Sequence, residues 1–257
     1  MSAWGRSHQF EYFFAVITVI VLASLGTFYV RKPAPTCSDQ IQNQDEEGVD
    51  CGGACFKVCK NQAGSIIIKW TKVFPVREGF VDVAALVSNP NPRYELKYVP
   101  YSFRVYDNDQ RLIAERKGVT FIQAAEQFVI FEPLIDTNKR EADKAFVTLE
   151  EPYSDDWRIQ GNVRIPVFEV RNKEIAKSLL PVLNAIIKNA STFDAKDVQV
   201  IAVLNNSSGN VIGVSAAQIP LVTKVSEKQI TLTWPNQFVD DITSSEIYFH
   251  IPPISVK

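Results

Sequence analysis

Two hydrophobic patterns divide this chain. From Phe13 to Val30 no position is charged and most are apolar (FFAVITVIVLASLGTFYV), with no polar face at helical spacing. Beyond Gly64, apolar and polar positions alternate with period two in one short segment after another. The first pattern predicts a helix of about 18 residues, roughly 27 Å long, close to the hydrocarbon thickness of a bilayer. Tyr12 and Tyr29 stand at its ends, where amphipathic rings favour the membrane interface. A cleaved signal peptide is the main rival, because Ser24-Leu25-Gly26 offers small residues at a cleavage site. The apolar run continues through Phe28, Tyr29 and Val30, which favours an uncleaved anchor over residues 13–30, held in lipid and crossing once. Arg6 precedes the run and Arg31 and Lys32 follow it, so flanking charge leaves the orientation open.

The second pattern predicts strands. Val99, Tyr101, Phe103 and Val105 alternate with Pro100, Ser102 and Arg104, the period of a half-buried strand. Phe80-Val-Asp-Val-Ala-Ala-Leu-Val87, Val119-Thr-Phe-Ile122 and Gln127-Phe-Val-Ile-Phe131 continue the series, with turn chemistry at Asn89-Pro-Asn-Pro92 and Asp107-Asn-Asp109. The phrase then returns about 100 residues on. Ala85-Leu-Val-Ser-Asn89 matches Ala185-Ile-Ile-Lys-Asn189, Val105-Tyr-Asp107 matches Val203-Leu-Asn205, and Phe131-Glu-Pro133 matches Thr233-Trp-Pro235. Four landmarks, counting Leu112-Ile113 with Val211-Ile212, keep one order, which reads as a tandem duplication. Ile175, Leu179, Leu180, Leu183, Ile186 and Ile187 have helical spacing, but Pro181 interrupts them. The repeat assigns 182–188 to a strand and leaves 172–180 as a helical turn or loop. The expected fold is all-β: two tandem antiparallel sandwiches over 64–158 and 159–257. A short cytoplasmic N-terminus (1–12), the helix, a linker (31–36) and a small module (37–60) precede them.

All four cysteines, Cys37, Cys51, Cys55 and Cys59, fall in that module. A segment so small cannot bury a core, so it needs staples. Two disulfides answer that need, in three possible pairings, and they place the C-terminal part outside the cytoplasm. Zinc is the rival reading, but one cysteine stands far from the other three and those are spaced by four, which is poor ligand spacing. Asp39, Asn43, Asp45, Glu47 and Asp50, with Gly48 for a turn, have part of the alternate-residue oxygen pattern of a calcium loop. A solvated acidic turn is the simpler reading, since Asn opens the pattern and no Glu closes it.

Asp39, Ile41-Gln42-Asn43, Glu46, Gly48-Val49-Asp50-Cys51-Gly52-Gly53 and Cys55 together resemble a cysteine motif of bacterial surface and secreted proteins, which implies export and no particular activity. Phe103-Arg-Val-Tyr-Asp107 resembles the signature of the FxLYD family, within the late-embryogenesis-abundant type-two-like sandwiches, with Val in place of Leu. That resemblance implies an immunoglobulin-like fold and no general enzymatic activity. In the second copy, Ile201-Ala-Val-Leu-Asn205 has lost the Phe and the Asp.

Composition narrows the chemistry. The chain has 257 residues, 46% hydrophobic and 22% charged, with net charge −2, and it lacks the basic stripe of a nucleic-acid binder. Its histidines are His8, beside the anchor, and His250 in an alternating terminal strand. No glycine-flanked serine accompanies His250, so a satisfied strand histidine is the simpler reading. Asp155-Asp156 and Asp240-Asp241 are adjacent pairs whose side chains point apart on a strand, unlike facing glycosidase carboxylates. Trp70, Trp157 and Trp234 suit either an interface or a sandwich core. Asn189, Asn205 and Asn206 open glycosylation sequons. These features lead to a non-catalytic, membrane-anchored, extracytoplasmic protein that needs no cofactor, with calcium as the one candidate ion. Its sandwiches would meet a protein or cell-wall partner, strand addition being one mode. Calcium-dependent adhesion is the alternative, and an envelope-polymer hydrolase a more distant one.

Overall fold

The computed structural model describes residues 3–30, 36–55, 57–59, 62–150, 157–161, 163–176, 180–252 and 254–255. Among the described residues, helix α1 (Ala3–Val30) is followed only by strands: β1 (Ile67–Arg77), β2 (Phe80–Ser88), β3 (Tyr94–Tyr106), β4 (Leu112–Ile122), β5 (Gln127–Asp136), β6 (Lys144–Leu149), β7 (Arg158–Ile159), β8 (Val163–Arg164), β9 (Phe168–Ala176), β10 (Val182–Asn189), β11 (Ala195–Asn205), β12 (Val211–Val222), β13 (Glu227–Thr233), β14 (Ser244–His250) and β15 (Ile254–Ser255). Every sheet pairing is antiparallel.

Two facing pairs of sheets enclose two cores. In the first half, β1-β2-β5 faces β4-β3-β6; in the second, β9-β10-β13 faces β12-β11-β14. Strand order is thus the same in both halves. Phe103, Phe128, Leu96 and Ile122 fill the first core, and Leu183, Ile187, Leu204 and Leu232 the second. A third buried cluster joins the halves: Ala84, Leu86 and Val129 pack against Ile201, Val203 and Val214. This explains why Phe80–Val87 and Val200–Leu204 read as near-continuous apolar runs. One face of each strand lines its own core and the other face meets the opposite half.

Pairing fixes the equivalences between halves. Ser88 pairs Gln127 as Lys188 pairs Glu227, so Asn89 does correspond to Asn189. Val105 pairs Ala114 and Leu204 pairs Gly213 just before a register shift in each half, so the counterpart of Val105 is Leu204 and not Val203. Ala84 pairs Phe131 as Asn184 pairs Thr231, which moves the partner of Phe131 from Thr233 to Thr231. The one-residue slip at Val105 matters because it would turn a core residue toward the other face, whereas the two-residue slip at Phe131 keeps the face.

The strand over 182–188 is present as β10. Asn172–Ala176, in contrast, is no turn: it belongs to β9, paired to β10 with a bulge between Asn184 and Ile186. Asn172 takes φ 48° there, and hydrogen bonding to a neighbouring strand outweighs a local 3.6-residue spacing. Residues 177–179 and most of the linker (31–35) lie outside the described residues.

The small module is knotted by Cys37–Cys55 and Cys51–Cys59, so no thiolate is free for zinc. Gly52 and Gly53 have positive φ, and a Cβ on Gly53 would sit 1.6 Å from Asp45 O; only glycine permits that crossing. The knot is docked and does not hang free. Val58 is buried in the first core, Lys57 bridges Arg158, and the Asn91 side chain exchanges two 2.7 Å hydrogen bonds with Gly64.

In α1 the described side chains run from Tyr12 to Thr27, and Phe13, Phe14, Val19, Leu22 and Leu25 are exposed. Among the described residues no helix is long and apolar enough to cross a membrane.

Candidate functional site

Two strand edges flank a groove where the halves meet. β1 pairs only with β2 and β12 only with β11, so each leaves one edge without a strand among the described residues. The groove, about 690 Å³, is lined by Thr71 through Val76, by Val211 through Val214, and by the loop from Trp234 to Asp240. Successive strand residues point to opposite faces. A consecutive run such as 71–76 can line one groove only if the groove follows the strand's backbone edge.

The loop closes one side. Asn236 Nδ2 donates to Pro75 O at 2.8 Å and to Val76 O at 3.0 Å, tying the second half to β1. Pro75 has no N–H, which suits an edge. Trp234 is 4% exposed and stands edge-on to Phe238, ring centroids 6.2 Å apart. A Cβ on Gly213 would lie 2.4 Å from Phe238, so the bare backbone of β12 is what lets the loop close down. The Trp234 Nε1–H has no acceptor among the described residues, an omission that costs about 1–3 kcal/mol for a buried donor. Asp82 also lines the groove, half-buried on the face of β2 that it shares with Ala84 and Leu86 and that looks toward the second half. Its Oδ1 accepts from Leu134 N at 2.8 Å. Burial raises its carboxyl above the usual carboxylate range, opposed only by that hydrogen bond and not by any cation.

A second polar cluster crosses between the halves at His250. Its Nδ1 lies 2.7 Å from Glu126 Oε1 and its Nε2 3.2 Å from Thr120 Oγ1. Phe121 and Phe128 stack on its two faces at 3.9 and 4.2 Å. The order hydroxyl–imidazole–carboxylate is that of a nucleophilic triad. Here, however, both ring faces are covered, and the Thr120 hydroxyl donates its one proton to Phe121 O. The cluster works as a tie: Gln123 Nε2 beside it donates to Ile251 O, again across the halves.

Of the five candidate calcium ligands, the carboxylates of Asp39, Glu47 and Asp50 already accept hydrogen bonds within the module. Asp39 accepts from Thr36 N, Ile41 N and Asn43 Nδ2, bonds that hold its carboxyl below the usual range. Asp50 accepts from Asp39 N and Gln40 N, and Glu47 from Gln62. Among the described residues, the one place where three candidate ligand atoms gather is Cys37, Glu46 and Cys55, and both sulfurs there share one disulfide. As placed, Asp39, Asp45, Glu47 and Asp50 do not bring three carboxylate oxygens together, and Asn43 Oδ1 is buried without a partner.

Trp157 and Trp234 sit in the two cores and Trp70 packs on the cluster between the halves. Asp240 accepts from Asn206, and Asp155-Asp156 lies outside the described residues. Asn189 is fully buried, with Nδ2 donating to the carbonyls of Phe193, Val222 and Thr223; Asn205 is buried too. Neither of these two sequon asparagines is open to modification in the folded chain, whereas the third, Asn206, is half-buried.

Asp82, Glu126, Asn236 and Phe238 escaped the reading of the sequence. For Asp82 there was a signal: a lone carboxylate inside the apolar run Phe80–Val87, where alternation puts it on the face shared with Ala84 and Leu86. The others gather only through tertiary packing. No family model matches the chain and no curated protein matches it. Among solved structures, a red sea bream transglutaminase is similar over 76% of this chain and 32% of that one, at 12% identity and a TM-score of 0.24. The chain thus spans under two thirds of that protein's length, and a likeness so slight carries no argument.

Proposed function

We propose that this chain is a single-pass, membrane-anchored, extracytoplasmic protein without catalytic activity. It holds two joined sandwiches of the FxLYD, immunoglobulin-like kind, duplicated in tandem, and offers the groove between them to a partner in the envelope or on the cell surface. One observation carries the reading: the described apolar side chains of α1, from Tyr12 to Thr27, are exposed, and a double-disulfide knot follows them in sequence. Lipid supplies the burial that α1 lacks, with residues 13–30 as the lipid-facing stretch. A non-reducing compartment supplies the oxidation the knot needs.

The docking of Val58 in the first core supports a knot that is held against the sandwiches it precedes. The covered faces of His250 support a non-catalytic role. Membrane-impermeant maleimide applied to intact cells tests the sidedness. Labelling of the cysteines only after an external reductant, with the protein in the membrane fraction, is the expected result; four labelled thiols in a cytosolic fraction refute the reading. Cross-linking in intact cells then tests the partner, and repeated failure to trap one specific neighbour counts against presentation.

A further inference from the structure

Resting on that reading, we infer that the groove takes an extended polypeptide of its partner. The segment is added as a strand along the free edge of β1 and sets one basic side chain, Lys or Arg, against Asp82.

Three observations lead there. The groove follows a backbone edge over Thr71–Val76 and has a second free edge, β12, as its opposite wall. Unpaired edges of this kind are templates for another chain's backbone, which favours an extended peptide over a compact small molecule. Next, Asp82 is a half-buried carboxylate with no cation in ion-pairing reach among the described residues, although Lys72 and Lys144 also line the groove. With Asp143 and Asp240, the lining carries three carboxylates against two ammonium groups, so a basic side chain complements it and an acidic one does not. Phe74, across from Asp82 on β1, offers apolar surface for the methylene stem of such a residue. Finally, Trp234 Nε1–H is a buried donor without an acceptor in the groove wall. A strand lying along β1 brings backbone carbonyls to that wall, and the loop bearing Phe238 and the fully exposed Val239 is the part that shifts to admit one.

The test uses the full-length chain in detergent micelles and labelled peptides about nine residues long, roughly 30 Å when extended. These alternate Val and Thr around a central Lys, Arg, norleucine or Glu. Fluorescence anisotropy is expected to show Lys and Arg peptides binding at least about tenfold more tightly than the norleucine and Glu peptides, the scale of one charge-assisted hydrogen bond. Asp82→Asn, which keeps an acceptor for Leu134 N, should abolish that preference and leave norleucine binding unchanged. Amide exchange should slow at the non-proline positions of 71–76 on binding and not across β4. Peptides that bind without regard to the central residue overturn the basic-anchor inference, whereas the presentation role stands on the cell cross-linking. Tight binding with no change in exchange at 71–76 overturns strand addition, and no binding at millimolar peptide overturns the whole inference. The maleimide experiment decides the parent reading independently of all three.

Discussion

Ile201 is fully buried in the middle of β11, and its side chain belongs to the cluster between the halves, not to the second half's own core. Ile201→Ala therefore asks whether the two halves share a core in solution. Removing three buried carbons forfeits about 2.4 kcal/mol of transfer free energy at about 0.8 kcal/mol each. The cavity left against Ala84, Leu86 and Val129 brings the loss to about 2–5 kcal/mol. For a chain of this size, each kcal/mol lowers the melting temperature by about 2–4 °C, so a fall of about 5–15 °C is expected. Urea denaturation followed by circular dichroism gives the free energy directly. Ile187→Ala, in the second core, should cost a similar amount, and Leu112→Ala, half-exposed on β4, less than about 0.5 kcal/mol. A cost for Ile201→Ala below about 1 kcal/mol, with Ile187→Ala behaving as stated, would refute the shared core.

Three further perturbations are expected to be informative. Asn189→Ala strips a donor from three carbonyls and an acceptor from Ser191 N, and should cost about 2–4 kcal/mol; Asn89→Ala, which does the same work in the first half, should match it in urea melts. Asp82→Asn should melt higher than the parent at neutral pH. Burial raises the Asp82 pKa above its unfolded value, so the contribution of Asp82 is favourable below the usual carboxylate range and is lost as pH rises through the raised value. The advantage of the Asn variant must therefore shrink on acidification, and an advantage that grows in acid contradicts the assignment. Replacing Cys37 and Cys55 together by Ser opens a loop of 18 residues' separation, against 8 for Cys51–Cys59, and the chain-entropy estimate is about 3.2 against 2.5 kcal/mol. Limited proteolysis of the knot should follow that order.

Much of the architecture is legible in the order of residues alone. The period-two segments, their turns and the return of Asn89 at Asn189 specify an all-β chain with a recurring strand order, because alternation and turn chemistry are local properties. The cysteine cluster likewise announces a stapled module, although the crossing at Gly52-Gly53 emerges only from the fold. What local pattern leaves open is everything that depends on two distant segments meeting. The run Phe80–Val87 shows that both faces of a strand are apolar, yet not that the second face meets Ile201 and Val203. The helical spacing of Ile175 to Ile187 is overruled by hydrogen bonding between β9 and β10. His250 reads as an ordinary strand residue until folding lays it between Phe121 and Phe128 against Glu126, over a hundred residues away. The groove exists only because the edges of β1 and β12 are brought side by side. Periodicity records which way a side chain points; only packing of the whole chain decides what it points at.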